Sequence, residues 1–413
     1  MGVFRALPPV SASPLTVRQL WRGAVAPWMG GDPLAQRRDE FKAYLGVSHA
    51  YPVSSGKAAL YLALKVLQQC APGTEVVVPA YTCFSVPSAV VKAGLKVVPC
   101  DVDPETFDFD YQQLESAVTP RTLCVVATHL FGLPADLERI KALAVKRGVY
   151  VIEDAAQAFG VERDGVRAGT SGDVGIYSFG RGKHVTCGSG GLAVTNRPDL
   201  GRLFDLLYET LPEPAPAKSA VEWGIVAAMQ VFLRPWLYWI PAGLPFLKLG
   251  HTVFDPSFPV EKLSRMKAYL LEGWREQLEQ GNRIRRHHVQ QIAGALKGKP
   301  FSGNSAPLLR IPVLCRSGSH RRDMQEAGRS IGVGGMYPSG IHLIPGLAGG
   351  GLPEGFPGAT TIAERVVTLP THHLVVDGDE VSLAQLLSAT DEGVGPAHPG
   401  IKVEGAVKGS PSR

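Results

Sequence analysis

Residues 177–191 read YSFGRGKHVTCGSGG, a glycine-rich turn with one lysine, set just before a run of strand-forming residues. The spacing rules out a nucleotide phosphate loop. A Mg²⁺-binding Ser or Thr is needed directly after the Gly-Lys pair, but His184 stands there, and Tyr177 replaces the leading glycine. Lys183 is therefore either a solvated loop lysine or a group with a chemical role, and the rest of the chain must decide between them.

The chain has 413 residues, 45% hydrophobic and 19% charged, enough for one large or two medium domains with substantial cores. Its formal net charge of +5 is not gathered into a basic block, so no nucleic-acid partner is expected, while small anionic ligands fit. Six cysteines lie scattered without a C-x-x-C pair, several inside apolar strand-like runs; they read as reduced core thiols, and no metal site is expected. Residues 1–25 hold Arg5 and three prolines but no continuous apolar stretch, so no secretory signal is expected and the default compartment is the cytoplasm.

Outward from the lysine turn, short β-branched runs alternate with helix-like segments: VVVPAY (76–81), LKVVPCDV (95–102), LCVVATHLF (123–131), YVIEDA (150–155), GIYSF (175–179) and GLAVTN (191–196). That rhythm predicts an α/β fold with a mostly parallel sheet, whose ligands gather at the carboxyl ends of the strands. The expected organisation is an N-terminal segment (1–34), a large α/β domain (35–220), an apolar insert (221–258), a long helix with a small C-terminal α+β domain (259–390) and a disordered tail (391–413).

Within the insert, residues 221–250 carry only Glu222, Arg234 and Lys248 as charges and hold Trp223, Trp236, Tyr238 and Trp239. Prolines and charges break the stretch short of the ~20 residues a membrane span needs. It reads either as a buried subdomain or dimer contact, or as a peripheral membrane contact.

If Lys183 holds pyridoxal phosphate as a Schiff base, the site needs a phosphate cup and a carboxylate for the pyridine nitrogen. VSSGKAALYLAL (53–64) offers the cup, because Ser54, Ser55 and Gly56 precede a helix whose free N–H groups and dipole attract phosphate; the same residues also make an ordinary N-cap. Asp154 in VIEDAAQAFG (151–160) offers the carboxylate, or else caps the next helix; Glu153 points the other way by strand alternation. Ser178, five residues before Lys183, offers a further hydroxyl to that phosphate. His129, at the end of another strand, is a ligand contact or a merely capped histidine.

The stretches YLGVSHAYPVSSGKAALYLAL, VVVPAYT, DVDPETFDFD, THLFG, VIEDAAQAFG, SFGRGK with GSGG, and ERVVTLPTHH together resemble the DegT/DnrJ/EryC1/StrS family of pyridoxal-phosphate-dependent sugar aminotransferases, over roughly residues 35–390. The resemblance implies an aspartate-aminotransferase-like fold (fold type I), a homodimer with active sites at its interface, and transfer of an amino group from glutamate or glutamine to a keto sugar, usually nucleotide-linked. It implies that Lys183 is the Schiff-base lysine, Asp154 the partner of the pyridine nitrogen, Gln157 a contact at the ring side, and Ser178 with Ser55, Gly56 and Lys57 the phosphate cup. Cys83 occupies the place of the family's stacking aromatic. His129, Tyr337 and His342 are substrate-binding candidates.

The chain also departs from the family pattern. Lys57 stands where the cup usually has threonine, Ser189 where GEGG has glutamate, and Leu263-Ser264-Arg265-Met266 where the family has Asn-x-Arg-Met. Two alternatives stay open: a sugar dehydratase of the same superfamily, in which histidine usually replaces the lysine, and a catalytically inactive binding or regulatory protein.

Overall fold

Strands β1 (His49–Val53), β2 (Glu75–Pro79), β3 (Lys96–Cys100), β4 (Thr122–Thr128) and β5 (Tyr150–Asp154) are followed by a small hairpin, β6 (Glu162–Arg163) and β7 (Val166–Arg167), and then by β8 (Val174–Ser178) and β9 (Gly191–Thr195). All but the hairpin join one seven-stranded sheet in the order β1-β9-β8-β5-β4-β2-β3. Strand β9 runs antiparallel to both neighbours, and the remaining pairs are parallel. Each apolar run singled out in the sequence supplies a strand. Strand β1 was not among them, because Pro52 interrupts its β-like pattern; it lies at the sheet edge, where a missing ladder donor is tolerated. The computed structural model describes residues 6–11, 14–244, 252–294, 306–347 and 355–389; the expected tail and residues 245–251 of the apolar insert lie outside them.

Strand alternation sorts the core into two layers. Val76, Val78, Cys124, Val126 and Ile152 face the cluster that includes Leu60, Leu64 and Val90, from helices α3 (Gly56–Leu67) and α4 (Ser85–Lys92). Val77, Val125, Ala127 and Val151 face the opposite cluster with Leu114 and Ile140, from α5 (Tyr111–Ala117) and α6 (Leu137–Arg147). Earlier in the chain, α1 (Val17–Val25) and α2 (Pro33–Leu45) precede the sheet; α7 (Pro198–Glu209) follows it. By the same alternation Asp154 shares the face of Ile152 and α3, and Glu153 shares that of Val151 and α6.

The apolar insert folds as α8 (Pro216–Phe232) and the single turn α9 (Trp239–Ala242). Val226 is buried against the lysine turn, so close that a Cβ on Gly188 would lie 2.3 Å from its methyl. The outward side of α8 is apolar, with Val221, Ile225, Val231 and Phe232 exposed and Trp236 and Trp239 exposed just beyond. No helix among the described residues is long and apolar enough to cross a membrane.

The long helix expected from Pro259 to Leu296 is two helices, α10 (Arg265–Leu270) and α11 (Trp274–Gly294). Gly273, at φ +68, breaks the path, and Trp274 turns into an aromatic cluster with Phe41 and Phe159, centroids 4.6 and 5.4 Å away. The small domain pairs β10 (Arg310–Leu314) with β11 (Val366–Pro370), under α12 (Gly318–Ala327), α13 (Pro357–Arg365) and α14 (Asp377–Ala389). Residues 6–11 strap the parts together. Ala6 N donates to Pro235 O and Leu7 N to Ser330 O, Pro8 O and Ser11 O accept from His372 and Arg285, and Val10 lies against Gly182 beside Lys183.

Candidate active site

Three chain segments converge on one face of the sheet. Asp154 closes β5, the Lys183 turn follows β8, and the N-terminus of α3 lies against the end of β8. Ser55 caps α3, its Oγ accepting from Ala58 N at 3.1 Å. The amides of Gly56 and Lys57 are left without intrahelical acceptors, the usual state of a first turn. Gly56 permits a close approach, since a Cβ there would lie 3.1 Å from the Ser178 Cβ and 3.3 Å from its Oγ. The result is a cradle of N–H groups and a hydroxyl at the positive end of a helix dipole.

Asp154 is buried, and one carboxylate oxygen accepts from Ala156 N at 3.1 Å. Burial raises its pKa, with Ala156 N, Lys183 and His129 opposing. Lys183 is half-buried. Removal from water lowers its pKa, with Cys83 and Asp154 opposing and Arg310 adding to the drop. A lysine shifted in this direction carries more neutral, nucleophilic amine near neutral pH than a surface lysine does.

Gln157 is buried, its Oε1 accepting from Phe131 N at 3.1 Å and its Nε2 donating to the Tyr337 hydroxyl at 2.8 Å. Tyr337, in the small domain, is thereby tied to the large one. Its backbone N donates to the Tyr81 hydroxyl at 3.2 Å, and both Asp154 and Cys83 act on its own hydroxyl electrostatically. Cys83 is half-buried, with Sγ 3.3 Å from Ser85 Oγ.

Of the other sequence candidates, Lys57 and His129 are already engaged by side chains elsewhere. Lys57 places Nζ 3.7 Å from Asp255 Oδ2 and over the Phe258 ring, so its amide, not its ammonium, faces the cradle. His129 is buried with both ring nitrogens engaged: Nδ1 accepts from Ala135 N, which leaves the Nε2 proton for Glu153 Oε2 at 3.1 Å. Glu153 also accepts from the amides of Gly169, Ser171 and Gly172; these bonds and His129 outweigh its burial and lower its pKa. His342 packs on Phe356, centroids 4.7 Å apart. His184, next to Lys183, points its Nε2 at Pro307 O, and burial pushes it down to about 3.

The family model described as the DegT/DnrJ/EryC1/StrS aminotransferase family matches residues 24–210. A dTDP-3-amino-3,4,6-trideoxy-alpha-D-glucose transaminase of Streptomyces venezuelae is 30% identical over 342 residues, 80% of each chain. The chain belongs to this family. An L-glutamine:2-deoxy-scyllo-inosose aminotransferase of Streptoalloteichus tenebrarius is 38% identical over 208 residues, 49% of this chain and 48% of the relative, so that match spans about half the relative's length. In three dimensions, S. venezuelae DesV in complex with a ketimine intermediate superposes with a TM-score of 0.69 at 26% identity, covering 91% of this chain and 95% of that one.

Set against the family pattern, one departure finds a structural reason. Ser189, which replaces the glutamate of GEGG, accepts from Lys267 Nζ at 2.8 Å, and Lys267 pairs with Glu222 at 2.8 Å. A carboxylate from α8 is thus linked to the lysine turn through Lys267. Arg265 of the Leu-Ser-Arg-Met stretch donates to Gly31 O and Met29 O at 2.9 and 2.7 Å, which holds the N-terminal region in place. Sequence reasoning missed Arg310, whose buried guanidinium acts on Lys183, Tyr81 and Tyr337; its trace in the sequence was a single charge inside the strand-like run LLRIPVL.

Proposed function

We propose that the protein is a pyridoxal-phosphate-dependent aminotransferase that moves an amino group from glutamate or glutamine to a keto sugar, nucleotide-linked or a related polyol ketone. The observation that carries this is the convergence of Lys183, Asp154 and the Gly56–Ser178 cradle on one face of the sheet. The site suits the cofactor. The cradle takes a phosphate without a lysine side chain, and Asp154 keeps one carboxylate oxygen free of protein donors among the described residues.

Bound there, pyridoxal phosphate would supply an electron sink that stabilises a carbanion next to the transferred nitrogen. Ser55, Ser178 and the first amides of α3 would hold the phosphate, and Asp154 would hold the proton of the ring nitrogen. Gln157 and Tyr337 would wall the ring side. Lys183 would anchor the cofactor and then, as a free amine whose pKa burial lowers, carry a proton to and from the substrate carbon. His184 does not favour the dehydratase alternative, because it is bonded to Pro307 O and its low pKa keeps it uncharged.

Purified protein should take up the cofactor and turn yellow, and should bleach to the amine form with glutamate or glutamine and recover with a suitable keto sugar. A protein that stays colourless with added cofactor would end this reading. The same reading includes a homodimer, tested by sedimentation. It also includes a peripheral membrane contact through residues 221–250, whose α8 side and Trp236 and Trp239 are exposed, tested by co-sedimentation with liposomes before and after deletion of residues 221–250.

A further inference from the structure

We propose that Lys267 is a positioning residue for Lys183, gripping the base of the lysine turn through Ser189, and that Glu222 makes the apolar insert part of this grip; the catalytic half of the proposal rests on the aminotransferase reading above. The turn closes on its own backbone. Phe179 N donates to Gly190 O at 2.8 Å, and Phe179 O accepts from Cys187 N at 3.2 Å and from Thr186 Oγ1 at 3.1 Å. Lys183 stands beyond this base, its N donating to Gly180 O at 3.3 Å. Whatever fixes residues 186–190 fixes the frame from which the Lys183 side chain reaches into the site.

Two elements far away in sequence hold that base. Lys267, on α10, is only 3% exposed; its Nζ donates to Ser189 Oγ at 2.8 Å and pairs with Glu222 Oε2 at 2.8 Å. Glu222 lies on α8 one helical turn before Val226, the residue that packs against Gly188. Gly188, at φ +87, has no Cβ to obstruct that approach, and a Cβ on Gly190 would lie 3.1 Å from Leu263 Cδ1. The insert therefore reaches the turn twice, by packing at Gly188 and by charge through Lys267.

A brace that served stability alone would need no charge. Replacing a buried ion pair by apolar residues of similar size is often neutral or stabilising, and Val226, Leu263, Met266 and Cys187 already form an apolar cluster here. What the ammonium adds is direction, because a charge-assisted hydrogen bond fixes the Ser189 hydroxyl and the short backbone that carries it. A lysine that must bond to a cofactor and then deliver a proton depends on direction, since a misplacement of about 1 Å costs on the order of 10²-fold in rate.

The test uses the full chain and the variants Lys267→Met, Lys267→Arg and Ser189→Ala. Lys267→Met keeps most of the side-chain volume and removes the charge. In cofactor-loaded protein it should lower kcat about 10- to 100-fold, with KM for the amino donor little changed and the thermal midpoint the same or higher. Ser189→Ala cuts the link to the turn but keeps the Lys267–Glu222 pair, and should reproduce the fall in kcat; Lys267→Arg should recover part of it. In cofactor-free protein, amide hydrogen exchange should quicken at residues 179–190 in Lys267→Met and Ser189→Ala and stay unchanged in β4. Unchanged kcat in both of these variants overturns the proposal, as does a fall in kcat that merely follows a lowered thermal midpoint, the mark of a structural brace. Should Lys267→Met fail to fold, Ser189→Ala decides on the same readouts, because it removes one hydroxyl and leaves the ion pair intact. If the unmodified protein takes up no cofactor, the aminotransferase reading fails and takes the catalytic half with it, while exchange at 179–190 still decides whether Lys267 holds the turn.

Discussion

Glu153 and Asp154 are consecutive residues at the end of one strand, both buried carboxylates, yet their surroundings differ in kind. Glu153 faces α6 and is saturated by three amides and His129. Asp154 faces α3 and accepts one amide. The first pKa is lowered and the second raised. A buried charge whose donors all come from the fold is part of the fold; a buried charge left short of donors is available for chemistry.

Substitutions can break the comparison at its strongest point first. Lys183→Ala should abolish the yellow colour and lower turnover by more than about 10⁴-fold, with the thermal midpoint nearly unchanged. Asp154→Asn should lower turnover about 10²- to 10³-fold while leaving stability the same or higher, because the native site holds that charge at a cost. Glu153→Gln should do the reverse, losing about 3 kcal/mol in denaturant titration as its amide donors meet an NH₂ group, with much of the turnover kept in the folded fraction. Equal effects on both readouts for the two carboxylates would erase the distinction.

Acid sharpens the same point. His184 stays neutral in the fold, with a pKa of about 3 against an unfolded value near ~6.5. The unfolded chain therefore binds more protons over that interval, and stability falls as pH drops below about 6.5. By pH 4 this one group accounts for on the order of 3 kcal/mol. His373, pushed down to about 4 by burial, acts in the same direction, and Glu153 adds its loss below its ordinary range. Chemical denaturation between pH 7 and 4 should show this fall, and His184→Gln should flatten it. The smallest effect is expected at the insert. Glu222→Ala leaves Lys267 buried with Ser189 alone and should cost about 2 kcal/mol, loosening α8 from the lysine turn, as hydrogen exchange at Cys187–Gly191 would report.

Much of this was legible in the sequence. The apolar runs became strands because β-branched residues in short blocks between turn residues have little alternative in an α/β chain. Lys183, Asp154, Gly56 and Ser178 were legible because strand ends in such sheets collect at one edge. Other features were not. Pro52 masked an edge strand. The ammonium of Lys57 goes to Asp255, and nothing local to residue 57 reveals that partner. The helical periodicity of 259–296 ran through Gly273 without marking the break, which the burial of Trp274 enforces.

Taken alone, the sequence determined six of the sheet strands, the opposite facing of Glu153 and Asp154 and the lysine turn, since these depend on neighbours within a few positions. Only the tertiary structure decided that His129 and Glu153 satisfy one another, that Glu222 from the insert pairs with the Lys267 that donates to Ser189, and that the Nε of Arg310 is left without an acceptor. Each of these is a balance between partners far apart in the chain, where the cost of burying a charge depends on who else arrives at the same place.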